Sequence, residues 1–252
     1  MSAIELYYEN YGTGMPLILL HGYPLDHTIW LPLVPFLEDR AQLILPDLRG
    51  HGKSPAPDGV YTMQEMAGDV VALMDKLCVE KAVLGGHSMG GYVALAFARA
   101  YPERFMGLAL IASHAFADSE EKKMARMQAI EVVKEQGVAT ALAGISQKLT
   151  QNDGVQEKVR ALIACASTQG VIGTLQGMAA RRDSLDVLSS LDVPAVIITG
   201  AQDVLIPLKR AKEMEQKMKR PWLATVQGVG HMLMMEQPEQ LAKVLSHLLV
   251  SN

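Results

Sequence analysis

Three residues of the kinds that together move a proton on and off an oxygen occur in the order Ser88, Asp203, His231. A serine hydroxyl is a poor nucleophile at neutral pH and needs a base within hydrogen-bond reach. Imidazole can take that proton and return it. A carboxylate on the other ring nitrogen fixes the tautomer and stabilises the imidazolium. Ser88 sits in Gly86-His87-Ser88-Met89-Gly90, between an apolar run and a helical pattern. That spacing suits a sharp strand-to-helix turn, because small residues two before and two after the serine leave room for its strained backbone. The turn sets the hydroxyl at a helix N-terminus, where free N–H groups favour negative charge. The pentapeptide alone also fits a glycine-rich turn whose serine merely caps a helix, so the flanking elements have to decide.

Further positions carry the rest of the chemistry. The backbone N–H groups of Met89, just after the serine, and of Tyr23, in His21-Gly22-Tyr23-Pro24, are expected to hold the oxyanion of a tetrahedral intermediate. Tyr23, Trp30, Met89 and Met232 are the candidates for contact with substrate. Asp118 competes for the role of triad acid. Asp203 is preferred, because Thr199-Gly200-Ala201-Gln202-Asp203 ends a strand cleanly. Asp47 and Arg49 are expected to pair locally and brace a turn, with His51 an ordinary loop histidine. His27 and His114 are expected on the surface or in the core. His21, His51 and His87 lie in separate loops with no matched metal-ligand spacing, and no Gly-Lys-Ser/Thr follows the elbow glycines. No metal or cofactor is therefore expected.

The elements that must position these residues alternate. Strands are expected at Ile4–Glu9, Met15–Leu20, Gln42–Leu45, Lys81–Leu84, Phe105–Ala112, Pro194–Gly200 and Trp222–Val226. Asn10–Gly14 reads as a turn. Helices are expected at Trp30–Leu37, Thr62–Leu77 with a Thr62/Glu65 capping box, Tyr92–Ala100, Pro207 to about Lys219, and Gln237–Val250. Strand–helix alternation with continuous apolar strands argues for a mostly parallel sheet with right-handed crossovers. The rhythm breaks from about Ala115 to about Ala180. There Glu120–Gln136, Val138–Leu149, Val155–Cys165 and Thr168–Met178 all read as helices. The organisation expected is a core of residues 1–114 and 183–252, with residues 115–182 a helical cap over a ligand crevice.

Composition sets the class. A chain of 252 residues that is 49% hydrophobic and 20% charged has enough apolar material for one sizeable α/β domain. Its 23 basic and 27 acidic residues give a net charge of −4, without the basic footprint of a nucleic-acid binder. Cys78 and Cys165 read as buried free thiols of a reducing cytoplasm. No apolar run is long enough to span a membrane, and the first residues lack the pattern of a signal peptide.

His21-Gly22-Tyr23-Pro24, Asp47-Leu48-Arg49-Gly50-His51-Gly52-Lys53-Ser54, Gly86-His87-Ser88-Met89-Gly90-Gly91, Gly200-Ala201-Gln202-Asp203 and Gly230-His231, in that order, resemble the α/β-hydrolase superfamily. The likeness spans nearly the whole chain outside the helical insertion. It is strongest to compact bacterial carboxylesterases, enol-lactonases and cofactor-free haloperoxidase-type perhydrolases. The resemblance implies an α/β-hydrolase fold with the cap inserted after the sixth strand. It also implies a triad of Ser88, Asp203 and His231, with oxyanion donors at Tyr23 and Met89. Dehalogenase and epoxide hydrolase relatives would carry Asp where Ser88 stands, which disfavours both. The expectation is a cytoplasmic serine hydrolase acting on small-molecule esters or lactones of small to medium acyl groups. Cleavage of a C–C bond by the same triad, or slow-turnover ligand reception, are the alternatives.

Overall fold

A computed structural model describes residues 3–250. Its sheet has seven strands: β1 (Tyr8–Tyr11), β2 (Met15–Leu20), β3 (Ala41–Pro46), β4 (Ala82–His87), β5 (Phe105–Ile111), β6 (Ala195–Gly200) and β7 (Leu223–Val226). They lie in the order β1-β3-β2-β4-β5-β6-β7. Only β1 runs antiparallel, against β3; the other five neighbouring pairs are parallel. All six residues of β4 and of β6 are buried, as continuous apolar strands covered on both faces must be. Parallel pairing brings the loops that follow β2, β4, β5, β6 and β7 to one edge of the sheet.

The chain after β2 forms a 3-10 segment, His27–Leu33, which runs directly into α1 (Val34–Leu37). Helix α2 (Met63–Lys76) opens with the expected capping box, Thr62 and Glu65 each satisfying the other's amide. Helix α3 (Met89–Ala100) follows β4 and is buried from Met89 through Ala98. Between β5 and β6 come α4 (Glu120–Gln136), α5 (Val138–Ala141), α6 (Ile145–Leu149), α7 (Asp153–Ala164), α8 (Thr168–Ala180) and α9 (Leu185–Ser190). Helices α10 (Leu208–Glu215), α11 (Leu233–Glu236) and α12 (Pro238–Val250) complete the chain.

Several expectations change in detail. The first strand is Tyr8–Tyr11, not Ile4–Glu9, because pairing with β3 begins at Tyr8 opposite Pro46 and takes in Asn10 and Tyr11. The N-terminal segment thus gives one short strand, and the helical insertion follows the fifth strand of the chain, not the sixth. The expected helix 138–149 is broken by Gly144, whose φ of +79° is left-handed. Both cysteines are free, as expected, but exposed and not buried. Each lies at the end of a helix facing solvent, Cys78 beyond α2 and Cys165 at the C-cap of α7.

Asp47 and Arg49 do not pair with each other. Asp47 accepts from the amide of His27 at 2.8 Å, from its Nδ1 at 2.7 Å and from the amide of Lys53 at 2.8 Å. Burial works against a charge on His27, but Asp47 and Glu9 outweigh it and raise its pKa. Arg49 instead reaches Asp69 of α2 with Nε at 2.6 Å and Nη2 at 2.7 Å, and Asp69 also accepts from the amide of Ile4 at 2.9 Å. One ion pair therefore ties the loop after β3 to a helix and to the N-terminal segment. A second cluster sits where the insertion leaves the sheet. Asp118 meets Arg126 Nε at 2.6 Å and Arg181 Nη2 at 2.9 Å, joining the loop after β5 to α4 and to the end of α8. Burial opposes ionisation of Asp118, yet the two guanidinium groups hold its pKa down to about 2.

Arg49→Met leaves Asp69 buried without its counter-charge and is expected to cost about 3–5 kcal/mol in urea unfolding. Asp118 is ionised more readily folded than unfolded, so its contribution is complete above the unfolded carboxylate pKa of about 4 and is lost as pH falls toward 2. The stability gap between the natural chain and Asp118→Asn, on the order of 2 kcal/mol at neutral pH, should close over that window in acid titrations.

Candidate active site

Ser88, between β4 and α3, has φ 49° and ψ −112°, a positive-φ backbone that a residue with a Cβ rarely adopts. Its N–H donates to the Ile111 carbonyl at 2.9 Å, and its carbonyl accepts from Ser113 Oγ at 2.6 Å and from the Gly91 amide at 3.0 Å. The turn is thus pinned to β5 on one side and to its own helix on the other. A Cβ on residue 90 would lie 2.2 Å from the Leu20 carbonyl oxygen, so α3 can approach β2 this closely only as glycine. Ser88 is half-buried, while His87 and Met89 on either side are buried.

Asp203 and His231 come from the loops after β6 and β7. Asp203 Oδ2 accepts from His231 Nδ1 at 2.8 Å, and both side chains are almost wholly buried. The other carboxylate oxygen accepts from the amides of Leu205 at 2.8 Å and Ile206 at 3.0 Å, which fixes its orientation. The two loops are stitched by backbone bonds, Ala201 N–H to the Val226 carbonyl and Gln202 N–H to that of Val229, each 2.9 Å. They cross so closely that a Cβ on residue 200 would lie 2.1 Å from the Gly230 carbonyl oxygen. With Nδ1 of His231 on the carboxylate, Nε2 is the nitrogen left for chemistry.

The nucleophile strand and the histidine loop are joined through His87. Its Nε2 donates to the carbonyl of His231 at 3.0 Å, and the two imidazoles lie 4.7 Å apart between centroids. Burial, then the nearby His231, push the pKa of His87 far down, so this ring is neutral. The histidine loop is also tied to the insertion, for the amide of His231 donates to the carbonyl of Leu149 at 2.9 Å.

The loop after β2 is held from below. His21 accepts from the Leu48 amide through Nε2 at 2.9 Å and donates from Nδ1 to the Gly22 carbonyl at 3.0 Å. His51 lies 5.0 Å from it and donates from Nδ1 to the Arg49 carbonyl at 2.9 Å. Burial, then the neighbouring His21, hold the pKa of His51 down to about 3, so the loop histidine of the sequence reading is a buried neutral prop. Among the described residues the amides of Tyr23 and Met89 have no hydrogen-bond acceptor, and the buried hydroxyl of Tyr23 has no partner.

The remaining candidates sort by exposure and partner. Asp118 is engaged with Arg126 and Arg181, so of the two rival acids only Asp203 touches the imidazole of His231. Trp30 and Met232, two of the candidates for substrate contact, have no accessible surface in this structure. Trp30 lies in the core, its ring edge-on to His87 at 6.3 Å between centroids. Met89 is buried as well, so Tyr23 is the one member of that set with surface to offer. His114 is buried and bonded to the Tyr92 hydroxyl at 3.2 Å. Asp26, His27 and Asp47 bring ligand-type atoms within 4.8 Å of one another, but His27 and Asp47 already bond to each other, Asp26 accepts from the Thr28 amide and Asp47 from that of Lys53. Sequence reading missed the bracing roles of His21 and His87. Their position at the end of an apolar strand was a usable signal; their partners were not.

Comparison with known proteins places this geometry in a lineage. Residues 15–136 match the family model of the alpha/beta hydrolase fold. An esterase from Thermogutta terrifontis, solved with malate bound, is 38% identical over 98% of this chain and 93% of that one, with a TM-score of 0.95. The 3-oxoadipate enol-lactonase 1 of Acinetobacter baylyi is 29% identical over 88% of this chain and 83% of its own length. The dihydrolipoyllysine-residue acetyltransferase component of the acetoin cleaving system of Pseudomonas putida is 30% identical, but the chain spans only 61% of that protein. A glycine-flanked serine elbow, a histidine bonded to an aspartate at the same sheet edge and whole-length likeness to a solved esterase agree: the chain belongs to the α/β-hydrolase family.

Proposed function

We propose that the chain is a serine hydrolase that cleaves carboxylic esters or lactones of small to medium acyl groups through an acyl-enzyme on Ser88. The observation that carries this reading is the buried 2.8 Å contact between Asp203 and His231, at the edge of the sheet where Ser88 is held in a strained turn. It is supported by relatives that include an esterase and an enol-lactonase.

In this reading His231 Nε2 takes the Ser88 proton as Oγ attacks the carbonyl, and Asp203 stabilises the imidazolium that forms. The unpartnered amides of Tyr23 and Met89 receive the oxyanion, at the N-terminus of α3 where the helix dipole adds to the effect. His231 then protonates the leaving alkoxide. A water deprotonated by the same nitrogen attacks the acyl-enzyme, and Ser88 leaves with its proton restored. The chemistry requires no metal or cofactor. Residues 115–182 serve as a cap that shields the acyl-enzyme from bulk water. No described helix is long and apolar enough to cross a membrane, which fits a small-molecule substrate taken from solution.

A short-chain nitrophenyl ester should give a burst of nitrophenol equal to the enzyme present, with a fluorophosphonate label on Ser88. Ser88→Ala should remove the label and lower kcat by roughly 10⁴-fold or more, and Asp203→Asn should cost a loss of roughly 10⁴-fold through the wrong tautomer. Undiminished turnover in Ser88→Ala would exclude the acyl-enzyme.

A further inference from the structure

Ser88 stands where a serine ordinarily does something else. It is the N-cap residue of α3, a position where a serine turns its hydroxyl onto an amide of the first helical turn. Thr62, Ser119, Asn152 and Ser167 do this for α2, α4, α7 and α8, and all four have extended backbones with φ between −65° and −82°. Ser88 has φ 49° and makes no capping bond, so its Oγ is not spent on the helix. Such a backbone persists only where its surroundings over-determine it.

Three bonds hold it. The Ser88 N–H donates to the Ile111 carbonyl at 2.9 Å, and the Ser88 carbonyl accepts from the Gly91 amide at 3.0 Å and from Ser113 Oγ at 2.6 Å. The first two are main-chain bonds that almost any residue can make. Among the described residues the third is the only one that a side chain supplies, and it is the shortest. Its donor is firmly mounted in the loop after β5. Ser113 is buried, and the Ala112 amide before it donates to the Ile198 carbonyl at 2.8 Å. After it, Nε2 of His114 lies 3.2 Å from the Tyr92 hydroxyl, and the Ala115 carbonyl accepts from the Ser184 amide at 2.7 Å. Gly91 leaves the passage, since a Cβ there would lie 2.2 Å from Ser113 Oγ. The elbow pattern asks only for Gly86 and Gly90, so this contact accounts for the third glycine.

We infer that Ser113 is a positioning residue, whose hydroxyl orients the peptide unit between Ser88 and Met89 and so sets both the nucleophile and one oxyanion donor. The Ser88 carbonyl and the Met89 N–H belong to one planar trans peptide and point in opposite directions. A pull on the carbonyl from Ser113 therefore aims the Met89 amide the other way. It also fixes ψ of Ser88, while the bond to Ile111 holds the N–H end of the residue. Ser113 acts through this peptide alone, and a donor already aimed at the developing charge costs no reorganisation during reaction. The inference rests on the serine-hydrolase reading above, since it assigns a part to a further residue of that same site.

The test compares the natural chain with Ser113→Ala and Ser113→Thr on a short-chain nitrophenyl ester. Ser113→Ala should lower kcat by roughly tenfold to a hundredfold and leave KM within about twofold, because the lost orientation matters in the transition state and not in binding. Labelling of Ser88 by a fluorophosphonate, whose adduct is tetrahedral, should slow by a similar factor. The acid limb of the kcat/KM profile should stay in place, since the contact between Asp203 and His231 is untouched. Ser113→Thr keeps the hydroxyl and should restore most of the rate. A kcat for Ser113→Ala within twofold of the natural value overturns the inference. So does an equal loss in both variants that follows their stability in urea, which marks a merely structural role. A crystal structure of Ser113→Ala gives an answer independent of turnover: the peptide between Ser88 and Met89 should turn, and an unmoved peptide overturns the inference. If the natural chain takes no label on Ser88, the acyl-enzyme reading fails, while that structure still decides what Ser113 holds.

Discussion

Two loops that cross with no room for a side chain between them determine most of what this molecule can do. The segment after β6 and the segment after β7 touch backbone to backbone at Gly200 and Gly230, and amide bonds from Ala201 and Gln202 lock the crossing. Only then do a carboxylate and an imidazole from residues 28 apart in sequence meet at 2.8 Å out of water. A buried carboxylate is costly unless its oxygens are bonded, and the amides of Leu205 and Ile206 supply what the imidazole does not. The parallel sheet contributes direction. β6 and β7 pair alongside β4 and β5 with the same polarity, so the dyad and the strained serine share one edge.

The electrostatic setting is as uniform as the geometry. His21, His51, His87 and His114 are all buried, and burial is the leading cause that lowers the pKa of each. They therefore act near neutral pH as fixed dipoles that donate and accept at set angles, not as charges. His27 is the exception, drawn toward the charged form by Asp47 and Glu9 beneath the loop that carries Tyr23. Farther along the chain, Arg126, Arg181 and Asp118 meet at the root of the helical insertion.

Much of this was readable in the sequence. The buried strands were found because continuous runs such as Leu17–Leu20 and Val196–Ile198 admit few other readings, and the elbow was found because its glycines are sterically required. The capping box of α2 was found because both of its partners are local. What sequence could not supply was the identity of partners across the fold. Asp47 and Arg49 are two residues apart, so a pairing between them was the economical guess. Their real partners, His27 and Asp69, stand 20 residues away on either side. Trp30 and Met232 show a related limit: an apolar residue close in sequence to a reactive one is as well used in the layer beneath it, and both are completely buried. The first strand was misplaced because alternation in Ile4–Glu9 says nothing of where pairing with β3 starts.

The bond from the His231 amide to the Leu149 carbonyl carries a consequence for how a molecule could enter. The end of α6 is fastened to the very loop that bears the imidazole, and α8 is fastened to the body as well, since the Gly173 carbonyl accepts from the Tyr61 amide at 2.9 Å. A hinge that lifted the whole insertion would strip a buried amide of its acceptor right beside the base and pull the ring off its carboxylate. Doorway and catalyst are thus mechanically linked on that flank.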